Sequence, residues 1–192
     1  TEGTNLPFDT MSKIMEAMMR GEISEVQIAA FLVAMRMKGE TTEEIAAAAT
    51  IMRDFASSVN IDTYPLVDTC GTGGDGSHTF NISTAAAVVV AACGGHVAKH
   101  GNRAASSSSG SADVLETAGA KIDLSTKQIA ECINSVGIGF MFAPSHHGAT
   151  RFAGKVRKQI GARTLFNILG PMTNPAGADR QVMGVFEKSW IK

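Results

Sequence analysis

No stretch of this 192-residue chain reaches the ~18 consecutive apolar residues that a membrane span needs. Nor does its start carry the charged, apolar and small-residue order of a signal peptide. An excess of one charge is also missing. Seventeen lysines and arginines against eighteen acids leave a formal net charge of −1, which gives no electrostatic case for nucleic acid or for an anionic membrane surface. Cysteine is scarce: Cys70, Cys93 and Cys132 are odd in number, far apart and without a metal-type spacing. They read as reduced thiols in a cytosolic protein, and Cys70 as a buried, inert one. The remainder, 44% hydrophobic and 18% charged, is the balance of a soluble globular protein with one large domain, or one domain and a small appendage.

Glycine, in contrast, is concentrated. Asp68-Thr69-Cys70-Gly71-Thr72-Gly73-Gly74-Asp75-Gly76 holds four glycines within six residues, after Leu66 and Val67. Asn81-Ile82-Ser83-Thr84 and the helix-like run Ala85 to Ala92 follow. A strand, a glycine loop and a helix start present amide N–H groups and the positive end of a helix dipole to an anion. The loop is expected to grip a pyrophosphate, although a tight structural turn uses the same glycines. Asn81, Ser83 and Thr84 would either cap the helix or bind phosphate oxygens, with Ser83 in reach of a Mg²⁺.

Before this loop, residues 9 to 57 predict three helices. Met11, Ile14, Met15 and Met18 share one face, and Gly21 closes it. Ser24 with Gln27, and Thr41 with Glu44, form capping-box patterns for the next two. The second helix carries Ile28, Phe31, Leu32 and Met35 and ends at Gly39; the third carries Ile45, Ala49 and Met52. The methionines read as core filler. Three short helices bury little alone, so the bundle is expected to pack on something else, a second subunit among the options. A domain boundary is placed near Asn60 to Pro65, because Tyr64-Pro65 breaks any helix.

Beyond the boundary the pattern predicts a strand near Leu66, a buried helix over 83–93 with a Ser83/Thr84 cap and a short strand at 96–98. Helices at 112–118 and 126–136 and a strand at 140–142 follow. Such alternation implies a mainly parallel sheet covered by helices. A basic helix at 147–160, ended by Gly161, carries Arg151, Lys155, Arg157 and Lys158. Phe166 to Pro171 reads as a helical turn, and 181–186 as a strand. Lys99-His100-Gly101-Asn102-Arg103 lies just after a short strand, where α/β sheets place ligands. With Ser106-Ser107-Ser108-Ser109-Gly110-Ser111 behind it, this looks like a second anion-binding loop rather than a linker. His146 and His147 are adjacent, hence on different sides of a helix and a poor metal pair. Arg157 or Arg163 would suit a carboxylate; spacing alone does not rank them.

The motifs Gly71-Thr72-Gly73-Gly74-Asp75-Gly76, Asn81-Ile82-Ser83-Thr84-Ala85, Lys99 to Arg103 and Phe166-Asn167-Ile168-Leu169-Gly170-Pro171 closely resemble anthranilate phosphoribosyltransferase. So does the front-end segment Ala34-Met35-Arg36-Met37-Lys38-Gly39-Glu40-Thr41. The resemblance covers essentially the whole chain. It implies transfer of the phosphoribosyl group of 5-phosphoribosyl-1-diphosphate (PRPP) to the amine of anthranilate, in tryptophan biosynthesis, by a cytoplasmic enzyme.

The implied fold is of the nucleoside phosphorylase/phosphoribosyltransferase type. A small all-helical domain (1–63) forms a homodimer, and the first part of an α/β PRPP-binding domain (64–192) carries the basic helix 147–161 near the domain interface. The resemblance assigns to PRPP Gly71, Gly74, Asp75, Thr79, Asn81, Ile82, Ser83, Thr84, Lys99, His100, Gly101, Asn102, Arg103, Ala104, Ala105, Ser106, Ser107 and Ser111. To anthranilate it assigns Gly71, Asn102 and Arg157, with His100, His147 and Pro171 lining the channel; it thereby ranks Arg157 above Arg163. Ser83 is the implied ligand of Mg²⁺, and no covalent nucleophile is implied. An anthranilate synthase or glutamine amidotransferase is the implied further partner, with neither nucleic acid nor membrane.

Two departures stand out. Gly148 follows His147 where many members carry proline. The family's chain also continues further and carries a magnesium-holding Asp-Glu pair, whereas no Asp-Glu dipeptide occurs in these residues. The expectation is an N-terminal portion of the enzyme, with little or no activity by itself and a last strand short of sheet partners. Two alternatives remain. A pyrimidine nucleoside phosphorylase shares the architecture but expects a lysine just before its glycine loop, where this chain has Asp68, Thr69 and Cys70. A non-catalytic phosphate-binding module is the other.

Overall fold

The computed structural model describes residues 2–74, 79–104 and 109–191. Along the chain come α1 (Phe8–Arg20), α2 (Glu25–Lys38), α3 (Thr42–Asp54), β1 (Leu66–Asp68), α4 (Ile82–Ala92), β2 (His96–Gly101), α5 (Ser111–Thr117) and α6 (Thr126–Val136). Then follow β3 (Ile138–Phe142), α7 (Ala143–His146), α8 (Arg151–Ile160), α9 (Phe166–Leu169) and β4 (Arg180–Gln181). These elements group into two compact units: Thr1–Ala56 with His147–Thr173, and Ser57–His146 with Asn174–Lys192. The stretch 57–63 groups with the second unit. The basic segment 147–161, expected in the α/β part, belongs instead to the helical unit.

In the helical unit the methionine spacing does what it predicts. Met11, Met15, Met18 and Met19 are all buried along one side of α1, each contributing roughly 1.5–3 kcal/mol of transfer free energy. Both capping boxes are present, Ser24 with Gln27 and Thr41 with Glu44. Glu44 does more than cap. It is fully buried and accepts from Leu6 N (2.8 Å), Thr41 N (2.7 Å) and Lys38 Nζ (2.8 Å). Helix α8 packs on α2, where Lys155 reaches Glu25 at 3.0 Å, and α9 packs on α3. The helix expected from 147 is divided: a 3₁₀ turn at Gly148–Thr150 precedes α8. Helix α2 buries Ile28, Leu32 and Met35 on one side. It leaves Val26, Ala30, Val33 and Met37 exposed on another.

The second unit is built on a four-stranded sheet in the order β3-β2-β1-β4, every pairing parallel. Leu66 sits opposite His96, Lys99 opposite Phe140 and Asp68 opposite Gln181. The core is Val59, Ile61, Leu66, Ala98, Ile129, Ile133 and Met141, which joins α6 to the strands. Three expectations change here. Strand β2 runs on to Gly101, so Lys99 and His100 lie within it rather than in a loop after it. Strand β4 is only two residues long, yet it pairs with β1 and does not lack a partner. Helix α4 is capped by Asn81, whose Oδ1 accepts from Thr84 N, not by Ser83 or Thr84. It is also not buried all round: Ile82, Val88 and Val89 are exposed.

Candidate functional site

The C-terminal ends of β1 and β2 lie side by side in the α/β unit, and the conspicuous motifs of the sequence meet there. At the end of β1, Asp68 is fully buried. Its Oδ1 accepts from Cys70 N (3.0 Å) and His100 N (3.1 Å), its Oδ2 from Asn174 Nδ2 (2.8 Å) and Gln181 Nε2 (3.4 Å). Four donors suit an ionised carboxylate, which only accepts. Burial nonetheless lifts its pKa above the ordinary range, against the pull of those donors and of Lys99.

The glycine loop follows directly. Gly71 makes a close approach: a Cβ there would come within 2.8 Å of the Gly184 carbonyl oxygen. Thr72 N donates to that carbonyl at 2.9 Å, and Phe186 N donates to Thr72 Oγ1 at 3.0 Å. Gly73 and Gly74 both have positive φ, 61° and 68°, the left-handed region that glycine enters without steric cost. Asp75 and Gly76 lie outside the described residues.

Beside the loop stands the start of α4. Thr69 Oγ1 donates to the Ser83 carbonyl at 2.8 Å, tying the loop to the helix. Lys99 reaches the same place from β2, its Nζ 3.3 Å from both Thr69 Oγ1 and Ser83 Oγ. The lysine is 1% exposed, and burial lowers its pKa while Cys70 and Asp68 raise it in part. Among the described residues no carboxylate forms an ion pair with it. A buried ammonium, two hydroxyls and a helix N-terminus thus converge on one point, where an anion would relieve the cost of the lysine's burial. The Cys70 thiol, pushed up to about 12 by burial and by Asp68, stays protonated and takes no part as a nucleophile.

The second expected loop is partly visible. Gly101 closes β2 beside the Ser111 side chain. Asn102 accepts from Ala112 N through its carbonyl and from Arg103 N through Oδ1 (2.7 Å). The Arg103 guanidinium turns to Asp113 (3.0 Å) and Glu116 and lies over the Phe142 ring, while Ala104 N donates to Asp113. Ala105, Ser106 and Ser107 lie outside the described residues. Thr79 and Ile82 are exposed near the α4 start. Gly71, His100 and Asn102 belong to the α/β unit; His147, Arg157 and Pro171 belong to the helical unit. There His147 and Pro171 are buried, and the Arg157 guanidinium lies 5.0 Å over Phe166, burial lowering its pKa.

Sequence reasoning missed Asn174 and Gln181 altogether, and took Asp68 only as part of a motif. An acid closing a strand just before a glycine loop is a usable signal. Asn174, in an irregular segment 106 residues away from Asp68, carries none.

Comparison with known proteins fits this geometry. Residues 63–192 match the family described as "Glycosyl transferase family, a/b domain", and residues 1–56 its helical bundle domain. The anthranilate phosphoribosyltransferase of Alkalilimnicola ehrlichii is 58% identical over 191 residues, 100% of this chain and 56% of that protein. The crystal structure of anthranilate phosphoribosyltransferase from Thermus thermophilus superposes with a TM-score of 0.94 at 48% identity, covering 98% of this chain and 57% of the other. The Saccharomyces cerevisiae enzyme in complex with PRPP and Mg gives 0.83 at 28% identity, covering 94% and 53%. The chain therefore spans a little over half the length of these relatives. With a helical bundle, a parallel sheet and family matches over nearly all of its residues, the chain belongs to this glycosyl transferase family.

Proposed function

We propose that the protein carrying this chain transfers the phosphoribosyl group of PRPP to the amine of anthranilate, releasing diphosphate, as a step of tryptophan biosynthesis. The observation that carries the reading is the cradle at the ends of β1 and β2. Lys99 Nζ lies 3.3 Å from both Thr69 Oγ1 and Ser83 Oγ beside Gly71 to Gly74. Relatives of the same name, one of them solved with PRPP and Mg, support the substrate.

Ser83 Oγ, half-buried at the start of α4 and 3.4 Å from Asn81 Oδ1, would serve Mg²⁺ as a single hydroxyl ligand, because that ion commonly keeps its waters and is held in part by substrate phosphates. When bound, it would neutralise charge on the leaving diphosphate. The chain's own part is electrostatic and geometric. The Lys99 ammonium and the amides of the glycine loop stabilise the negative charge that builds on the diphosphate as the C1–O bond breaks. The amine lone pair then forms the C–N bond, and its proton leaves to solvent. An arylamine is neutral at pH 7, so positioning rather than a strong general base supplies the rate. Asn102 and Arg157, with Gly71, His100, His147 and Pro171, are the proposed anthranilate contacts.

The stripe Val26, Ala30, Val33 and Met37 on α2 supports a homodimer formed through the helical unit. A cytoplasmic location suits a biosynthetic enzyme, and among the described residues no helix is long and apolar enough to cross a membrane. The test is loss of anthranilate fluorescence by the full-length protein, dependent on PRPP and Mg²⁺. Phosphorolysis of thymidine with no use of PRPP would point to a nucleoside phosphorylase instead.

A further inference from the structure

The hydrogen bonds of Asp68 join four separate pieces of chain. Through Cys70 N its carboxylate holds the first residues of the glycine loop, and through His100 N the backbone of β2 one residue beyond Lys99. Through Gln181 Nε2 it holds β4, and Gln181 Nε2 in turn lies 3.3 Å from the Cys70 carbonyl oxygen. The fourth piece is the segment after Thr173. Asn174 Nδ2 donates to Asp68 Oδ2 at 2.8 Å and to the Ala98 carbonyl at 2.9 Å, while Asn174 Oδ1 accepts from Ala176 N at 2.9 Å. Asn174 is thereby locked in one orientation, its amide nitrogen committed to the carboxylate.

None of these contacts is needed to close the sheet, whose strands already pair by their backbones. Burying a carboxylate without gain is costly, and an apolar residue at the end of β1 would serve the sheet better. What the carboxylate adds is a fixed spacing. The glycine loop and Lys99 come from different strands, and Asp68 holds the backbone next to each: Cys70 N just before Gly71, and His100 N just after Lys99. Small displacements of such groups cost much in electrostatic sites, because their stabilisation depends on preorganisation.

We propose that Asp68, oriented by Asn174, is a positioning residue that sets the spacing between the glycine loop and Lys99 and so controls how tightly the diphosphate of PRPP is held. The inference rests on the function proposed above. Asp68 touches no substrate atom in this role; it acts through Cys70, His100 and Lys99.

The experiment uses the full-length enzyme with Asp68→Asn, Asn174→Ala and the double variant, measuring PRPP binding by calorimetry and KM for both substrates. An asparagine at 68 places an amide where the carboxylate accepts from Asn174 or from two backbone N–H groups. Asp68→Asn is expected to weaken PRPP binding about tenfold or more, as loss of a charge-assisted network does. The KM for anthranilate should change by less than about threefold, since the two polar contacts proposed for it, Asn102 and Arg157, are not among the partners of Asp68. Asn174→Ala should act in the same direction, and the double variant should be no worse than Asp68→Asn by more than about twofold, because the two act as one unit.

Unchanged PRPP binding in a folded Asp68→Asn protein would overturn the inference. So would a parallel rise of both KM values in step with a fall in Tm, the mark of a merely structural role. If Asp68→Asn does not fold, Asn174→Ser and Gln181→Ala each remove one donor and leave the carboxylate in place. A selective loss of PRPP affinity in either one supports the inference, and wild-type affinity in both sinks it. A wild-type enzyme that neither binds nor consumes PRPP removes the proposed function and this inference together. A wild-type enzyme that turns over, with variants that bind PRPP normally, removes only the inference.

Discussion

Lys99 is an ammonium kept out of water before its ligand arrives, and that has a measurable consequence. Burial lowers its pKa, whereas a bound polyanion favours the charged form and raises it. PRPP affinity should therefore be full well below the lowered pKa and fall as the pH rises through it, in a window below the ordinary lysine value of about 10.4. Calorimetry in buffers of different ionisation enthalpy should show proton uptake on binding within that window. Lys99→Met should abolish PRPP binding. Lys99→Arg should not restore it, since the planar guanidinium fork does not reproduce a compact point charge at so buried a position. The cysteines give a second residue-scale prediction. Cys70, whose pKa is about 12, should resist iodoacetamide at pH 8 until the protein unfolds, while the exposed Cys93 reacts at once. Alkylation of Cys70 as fast as Cys93 would contradict the half-buried, protonated thiol.

At the scale of elements, the Thr41–Glu44 box shows how a local sequence signal acquires a tertiary load. Glu44 is buried, which raises its pKa, but hydrogen bonds from Leu6, Lys38 and Thr41 outweigh that and hold it below the ordinary carboxylate range. A depressed carboxylate contributes stability above its unfolded pKa, and that stability disappears as pH falls through the folded one. Glu44→Gln should cost roughly 1–3 kcal/mol at pH 7, seen as a lower Tm, and the gap to wild type should close as the pH drops below about 4.5. A gap that stays constant to pH 3 would mean that the charge is not what matters.

The same elements show what was legible beforehand. Helix ends at Gly21 and Gly39, the two capping boxes and the methionine face of α1 follow from residues within eight positions of one another, so spacing alone reports them. The sequence pattern puts Lys99 and His100 after the strand because β2 is buried at positions that carry polar side chains, and no periodicity marks such a strand. The candidate site was legible as motifs because phosphate grips use glycines and hydroxyls in short runs. Its buried organiser was not, because Asn174 meets Asp68 across 106 residues.

At the scale of the whole molecule, α2 poses a question of area. Its apolar residues do not stop at the face that packs inward: Val26 and Met37 are 79% and 83% exposed, and Val33 is 41% exposed. With Ala30 they follow i, i+4, i+7 and i+11, the continuous stripe of a helix that pairs with another. Scattered apolar residues on a surface need no explanation, but an aligned set on one helix marks an interface. The proposed homodimer would satisfy it, because a two-fold interface pairs the same patch on both subunits. The wild-type protein is then expected to sediment as a dimer at micromolar concentration. Val33→Glu with Met37→Glu places two like charges from each subunit on the shared surface, where unpaired buried charges cost several kcal/mol, and should yield monomers. Both side chains point away from the buried residues Ile28, Leu32 and Met35, so far-UV circular dichroism should remain that of the wild type. A wild-type monomer, or a variant still dimeric with the same sedimentation coefficient, would show that α2 is not the shared face.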